Sequence, residues 1–126
     1  KINHPLMHNN FTRSDMRSVN KLIKQKNIIL TQSNKVKEFE SKWSKWLGVK
    51  YSTFVNSGSS ANFITISILK YLNKNKSKNE IIVPALTWVS DISSVLINGY
   101  KPVFIDINLH NLSMDTESVL KNINTK

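Results

Sequence analysis

Residues 55–62, VNSGSSAN, set one of the chain's three glycines among three serines directly after the β-prone stretch YSTFV (51–55). Such a loop, opening a helix, aims free backbone N–H groups and serine hydroxyls at one point. The positive end of the helix dipole favours an anion there. Gly58 permits close backbone approach and a positive φ. No Gly-Lys-Ser/Thr follows, as a nucleotide P-loop needs, and the three spaced glycines of a dinucleotide turn are missing. The other reading of the loop is an N-cap serine with a turn glycine.

A second stretch, ALTWVSD (85–91), places Trp88 just past an apolar run. An aromatic there serves either ordinary packing or a stacking plate. A plate beside an anion-binding helix end suits a planar phosphorylated cofactor. His4, His8 and His110 are scattered without metal-ligand spacing, which predicts surface or loop positions. Asp106 is a lone carboxylate after a third apolar run, placed to cap a turn or line a pocket.

The elements that must hold these residues follow from periodicity. Thr12 and Asp15 have capping-box spacing ahead of Met16, Val19 and Ile23, predicting a helix that ends near Lys26. A second helix is predicted over 34–47, its stripe of Val36, Phe39, Trp43 and Trp46/Leu47 closed by Gly48. Trp43 and Trp46 read as core or interface packing. From residue 50 strands and helices alternate: strand 51–55, helix 60–72, strand 80–84, helix 89–98 closed by Gly99, strand 102–107, helix 115–123. The fold class is α/β, a mostly parallel sheet covered by helices. In open sheets of this kind ligands bind beyond the carboxyl ends of the strands, where SGSS, ALTWVSD and INLHNLSMD lie.

At 126 residues with 40% hydrophobic content the chain can bury a core. It has no cysteine, which removes disulfides and thiol chemistry, and no stretch near the ~20 apolar residues of a membrane span. A cytoplasmic location is the default reading. The formal charge of +10 could serve a polyanion, yet every basic residue except Arg13 and Arg17 is Lys. These lysines are dispersed, with one loose cluster in NKNKSKNE (73–80), which predicts a solvated basic surface rather than a nucleic-acid patch. A nucleic-acid module would instead bind DNA or RNA at about 50 mM salt with a steep salt slope.

VNSGSSAN, EIIVPALTWVSD and INGYKPVFIDINLHNLSMD, with VKEFESKWSKWLGVKYSTFVNSG upstream, resemble the N-terminal part of the DegT/DnrJ/EryC1/StrS family of pyridoxal-phosphate-dependent sugar aminotransferases. The likeness covers about residues 5–125. It implies the large domain of a fold type I transferase, truncated after the third strand–helix unit. Residues 1–49 would be an N-terminal helical segment and 50–126 the first, incomplete part of the cofactor-binding domain. The absent initiator Met and the unpaired sheet edges fit a piece of a longer protein. The resemblance implies that Gly58, Ser59 and Ser60 bind the phosphate of pyridoxal 5'-phosphate, Ser59 and Ser60 through backbone and hydroxyl groups. It implies that Trp88 stacks on the pyridine ring and that Ser90 lines the same pocket.

In that family the Schiff-base Lys and the carboxylate partner of the pyridine nitrogen lie downstream of residue 126, so no catalytic residue is assigned here and the chain alone is expected to be inactive. Two departures stand out. Thr31-Gln32-Ser33 replaces a Thr-Gly before the second helix, on the substrate-side wall, and Ser77-Lys78-Asn79-Glu80 replaces a Gly-Asp-Glu surface turn. The implied whole enzyme moves an amino group from glutamate to a keto-deoxysugar nucleotide for surface polysaccharide or lipopolysaccharide, as a homodimer. The alternative is a pyridoxamine-phosphate-dependent 3-dehydratase of a CDP-4-keto-6-deoxyhexose, in which a His replaces the anchoring Lys. A non-catalytic partner chain is a third possibility.

Overall fold

The computed structural model describes residues 9–74 and 77–123. Its elements are α1 (Arg13–Ile23), α2 (Asn34–Leu47), α3 (Gly58–Leu72), β1 (Glu80–Pro84), α4 (Val89–Ile97), β2 (Lys101–Ile105) and α5 (Thr116–Asn122). They divide into two compact units between Phe54 and Val55.

In the first unit, α1 starts with the reciprocal box its sequence announces. The Asp15 amide donates to Thr12 Oγ1 at 3.2 Å and the Thr12 amide donates to Asp15 Oδ2 at 2.8 Å. The helix stops at Ile23, three residues short of Lys26, because Ile23 is the last apolar residue of its stripe. α2 is capped by the Ser33 hydroxyl, which accepts the Lys35 amide at 3.3 Å. It ends on Gly48 with φ 72°, and the Val49 amide turns back to the Ser44 carbonyl at 3.0 Å. That is a Schellman closure, which needs a residue at ease in the left-handed region. Phe39 stacks on Trp43 with centroids 5.8 Å apart, meets Phe54 edge-on at 5.3 Å, and Trp43 lies 4.9 Å from Trp46. These rings cover one another and leave Trp46 exposed, so the stripe is a partly exposed aromatic ladder rather than a buried core.

The strand expected at 51–55 is absent among the described residues. A strand exists only through a neighbour's ladder, and this segment bonds to α2 side chains instead. The Phe54 amide donates to Glu40 Oε1 at 2.8 Å, and Ser44 Oγ donates to Ser52 Oγ at 2.9 Å.

In the second unit β1 and β2 pair in parallel, from Glu80 opposite Lys101 to Pro84 opposite Ile105, and α4 makes the crossover. The Ala85 amide continues the ladder past Pro84, donating to the Ile105 carbonyl at 2.8 Å. β2 ends at Ile105 rather than residue 107. Asp106 folds its carboxylate onto the Ile107 amide at 2.8 Å, and its carbonyl accepts the Asp115 amide at 2.9 Å. Val83, Val95 and Ile105 form the buried centre, where α4 packs on both strands and on α3. At the far end of α3 and α4, Asn98 is buried and fully used. Its Nδ2 donates to the Ser94 carbonyl at 2.9 Å, its Oδ1 accepts Ser67 Oγ at 2.9 Å, and its carbonyl accepts Lys70 Nζ. Gly99 then turns the chain into β2 with φ 73°.

Candidate functional site

Helix α3 begins at Gly58, two residues before the position its apolar pattern suggests, because Ser57 and not a later serine is the cap. Ser57 is extended (φ −159°, ψ 160°) and its Oγ accepts the Ser60 amide at 3.1 Å. The same hydroxyl donates to Ser60 Oγ at 3.1 Å. The Ala61 amide reaches the Ser57 carbonyl at 3.1 Å. The donors without an acceptor among the described residues are therefore the Gly58 and Ser59 amides and the Ser59 and Ser60 hydroxyls. The Ser60 amide, expected to face a ligand, is already committed to the cap.

Gly58 also works differently from expectation. As the first helical residue it has no positive φ. A Cβ at Gly58 would meet no atom within 4 Å. The glycine leaves the space before the helix open rather than supplying an unusual backbone turn.

Trp88 occupies the N-cap position of α4 without a side-chain cap bond, and is 69% exposed. Within the described residues it is not packed into the buried centre formed by Val83, Val95 and Ile105. The loop that carries it is fixed by Asp91 in the first turn of α4. The Asp91 amide donates to the Trp88 carbonyl at 3.0 Å. One Asp91 carboxylate oxygen accepts Thr87 Oγ1 and the other accepts Asn62 Nδ2 of α3. Ser90 follows Val89 on α4, and its carbonyl accepts Ser94 Oγ at 2.6 Å.

An open groove of about 490 Å³ runs between α3 and α4, lined by Ser59, Ser60, Ser90, Ser93 and Ser94 together with the apolar Phe63, Ile64 and Ile97. Three expected residues thus share one surface. Gly58 lies beside them in the same helical turn, and Trp88 lies outside the groove. A separate groove of about 410 Å³, lined by Leu69, Leu72, Asn73, Lys78, Glu80, Ile81 and Tyr100, holds none of the expected site residues. Asp106 caps its turn and does not reach this site. His110 sits in an exposed loop, where its amide donates to Asn108 Oδ1 at 2.9 Å. His4 and His8 lie outside the described residues. Among the described residues no group of three metal-ligating side chains converges, and no helix is long and apolar enough to cross a membrane.

Sequence reasoning missed Asn62, Thr87 and Asp91. The Thr87–Asp91 pair carried a local signal, a hydroxyl four residues before a first-turn carboxylate. Asn62 carried none, since its partner is 29 residues away.

The model of the DegT/DnrJ/EryC1/StrS aminotransferase family matches residues 10–126. A GDP-4-keto-6-deoxy-D-mannose 3-dehydratase of Escherichia coli O55:H7 is 32% identical over 120 residues, covering 94% of this chain and 30% of the relative. A GDP-perosamine synthase of Vibrio cholerae is 31% identical over 91 residues, covering 72% of this chain and 24% of the relative. Among solved structures, a GDP-4-keto-6-deoxymannose-3-dehydratase with a trapped PLP-glutamate geminal diamine superposes with TM-score 0.80 at 30% identity. That match covers 98% of this chain and 32% of that one. The chain thus spans about 30% of the length of the first of these curated relatives.

Proposed function

The chain belongs to the DegT/DnrJ/EryC1/StrS aminotransferase family, and on that premise we propose that its parent protein uses pyridoxal 5'-phosphate to move an amino group from glutamate to a keto-deoxysugar nucleotide. The residues present fit that cofactor. Gly58 and Ser59 offer unpaired amides, Ser59 and Ser60 offer hydroxyls, and the space before them is open. These would hold the phosphate, Trp88 would cover one face of the ring, and Ser90 would line the pocket. When bound, the cofactor supplies an electron sink for the reacting carbon. The observation that carries the reading is the donor-lined, unobstructed first turn of α3, with an exposed Trp88 on the neighbouring loop.

In the same proposal, residues 1–49 form an N-terminal helical segment and 50–126 begin the cofactor-binding domain. The anchoring Lys and the carboxylate partner of the ring nitrogen lie outside this chain. The enzyme is a cytoplasmic homodimer serving surface polysaccharide or lipopolysaccharide synthesis. Glutamate as donor draws support from the glutamate adduct in the solved relative.

A second reading, 3-dehydration of the keto sugar, is favoured by one observation. The dehydratase relative matches 94% of this chain, the perosamine synthase 72%. The dehydratase relative is named for a GDP-linked sugar, which puts GDP ahead of CDP as the first nucleotide to try. One experiment separates the readings. The protein expressed from its complete reading frame is given pyridoxal phosphate, glutamate and GDP-linked or dTDP-linked 4-keto-6-deoxyhexose, and the product is read by mass spectrometry. An amino sugar supports transfer and a 3-deoxy sugar supports dehydration. Neither product, with every nucleotide tried, rejects both.

A further inference from the structure

We propose that the Asn62–Asp91–Thr87 bridge is a positioning device that sets the Trp88 ring against the open first turn of α3. The proposal rests on the cofactor reading above. A rigid planar ligand that touches both a phosphate cradle and a stacking plate binds well only if the two are held at the ligand's own span. Here they stand on different elements, the cradle on α3 and the plate on the loop before α4.

Asp91 links those two elements directly. Its carboxylate accepts Asn62 Nδ2, one helical turn beyond Gly58, and Thr87 Oγ1, the residue before Trp88. Its amide holds the Trp88 carbonyl at 3.0 Å. The peptide carrying the ring is therefore tied on both sides to one residue, at Thr87 by the half-buried Asp91 carboxylate and at the Trp88 carbonyl by the Asp91 amide. Partial burial lets such a bridge compete with water. The helix pair does not need this bridge merely to stay together. The buried Asn98, with Ser67 and Lys70, latches α3 to the end of α4 independently. A carboxylate in the first turn also favours the α4 dipole, a contribution that does not involve Asn62 or Thr87.

The test uses the protein from its complete reading frame and two readouts besides turnover. These are the dissociation constant for pyridoxal phosphate and the induced circular dichroism of the bound cofactor, which reports ring orientation. Asp91→Ala is expected to weaken binding about tenfold and alter the dichroic band. Asp91→Asn, whose amide can accept from Asn62 and donate to Thr87, is expected to recover most of the loss. In a Trp88→Ala background, Asp91→Ala is expected to add less than about twofold, since the bridge acts through the ring. Penalties that multiply in the double variant overturn the proposal. So does an Asp91→Ala protein with parental affinity and dichroism while Trp88→Ala binds weakly. Should Asp91→Ala not fold, Thr87→Val breaks the bridge from the loop side and carries the same expectations. A parent protein that binds no pyridoxal phosphate overturns the cofactor reading itself, and this inference with it.

Discussion

The Ser57 hydroxyl lies 3.1 Å from both the amide and the hydroxyl of Ser60, accepting from the first and donating to the second. One cap residue thereby decides which donors of α3 stay available to a ligand. Ser57→Ala removes the cap and is expected to cost about 1 kcal/mol. The check is a denaturant titration, in which the midpoint falls while the slope stays constant. An unchanged midpoint would mean that Ser57 does not cap the helix.

Gly58→Ala separates fold from function. The position is helical, lacks a positive φ, and has open space where a Cβ would stand. Stability is therefore expected to hold or rise by up to about 1 kcal/mol, because Ala is the better helix former. The added methyl intrudes on the approach to the Gly58 and Ser59 amides, so pyridoxal phosphate affinity is expected to fall. Thermal melts and binding isotherms on the same sample test both halves. A variant that binds as tightly as the parent removes Gly58 from the site.

The acid limb of the stability curve follows from three carboxylates, exposed at Asp15 and Glu38 and half-buried at Asp115. Lys35 and Lys42 each place an ammonium 2.7 Å from Glu38, and these hydrogen-bonded cations hold its pKa down from 4.5 to about 2. Asp15 is lowered by its hydrogen bonds from Thr12, and Asp115 by those from Ser118. A carboxylate with a depressed folded pKa adds stability above its unfolded pKa, and that contribution is lost as pH falls through the folded value. For Glu38 the loss runs between about pH 4.5 and 2. Glu38→Gln should therefore lose less stability than the parent across that window. The gap should narrow in high salt, because the pairs are solvent-exposed. Parallel acid titrations of the two proteins decide it.

The local features of this fold were legible in the sequence because they are written within a few residues. The Thr12–Asp15 box, the Gly48 closure of α2 and the Gly99 turn all appear where spacing places them. What needed a distant partner was not legible. Residues 51–55 have strand composition, but a strand is a relation between two segments, and here the backbone finds Glu40 instead. The start of α3 was ambiguous for another reason. Ser57, Ser59 and Ser60 are all good caps, and only their geometry selects the first. The same selection reassigns the Ser60 amide from ligand donor to cap donor. In the candidate site, the SGSS loop and Trp88 stand out by type and position and Ser90 enters only through the family resemblance, whereas the Asn62–Asp91 link spans 29 residues without a local trace.

The cap geometry also ranks the two serines, which the sequence treats alike. Ser59 is exposed, and both its amide and its hydroxyl are unpaired among the described residues, so a phosphate can take both. Ser60 gives its amide to Ser57 and accepts a bond from the same hydroxyl, which leaves one proton to offer. Substitution by Ala keeps both amides and removes one hydroxyl, and the Ser60 hydroxyl is already engaged by Ser57 whereas that of Ser59 is free to turn to the anion. Ser59→Ala is thus expected to cost more affinity than Ser60→Ala, by about tenfold against parent if a charge-assisted bond is lost. The ligand pair pyridoxal phosphate and pyridoxal isolates the cause. Both variants should bind pyridoxal, which lacks the phosphate, as the parent does, and differ only with the phosphorylated ligand. Equal losses with the two ligands would place Ser59 against the ring rather than the phosphate. A larger loss for Ser60→Ala would show that the Ser57 cap yields its hold on Ser60 when the anion arrives.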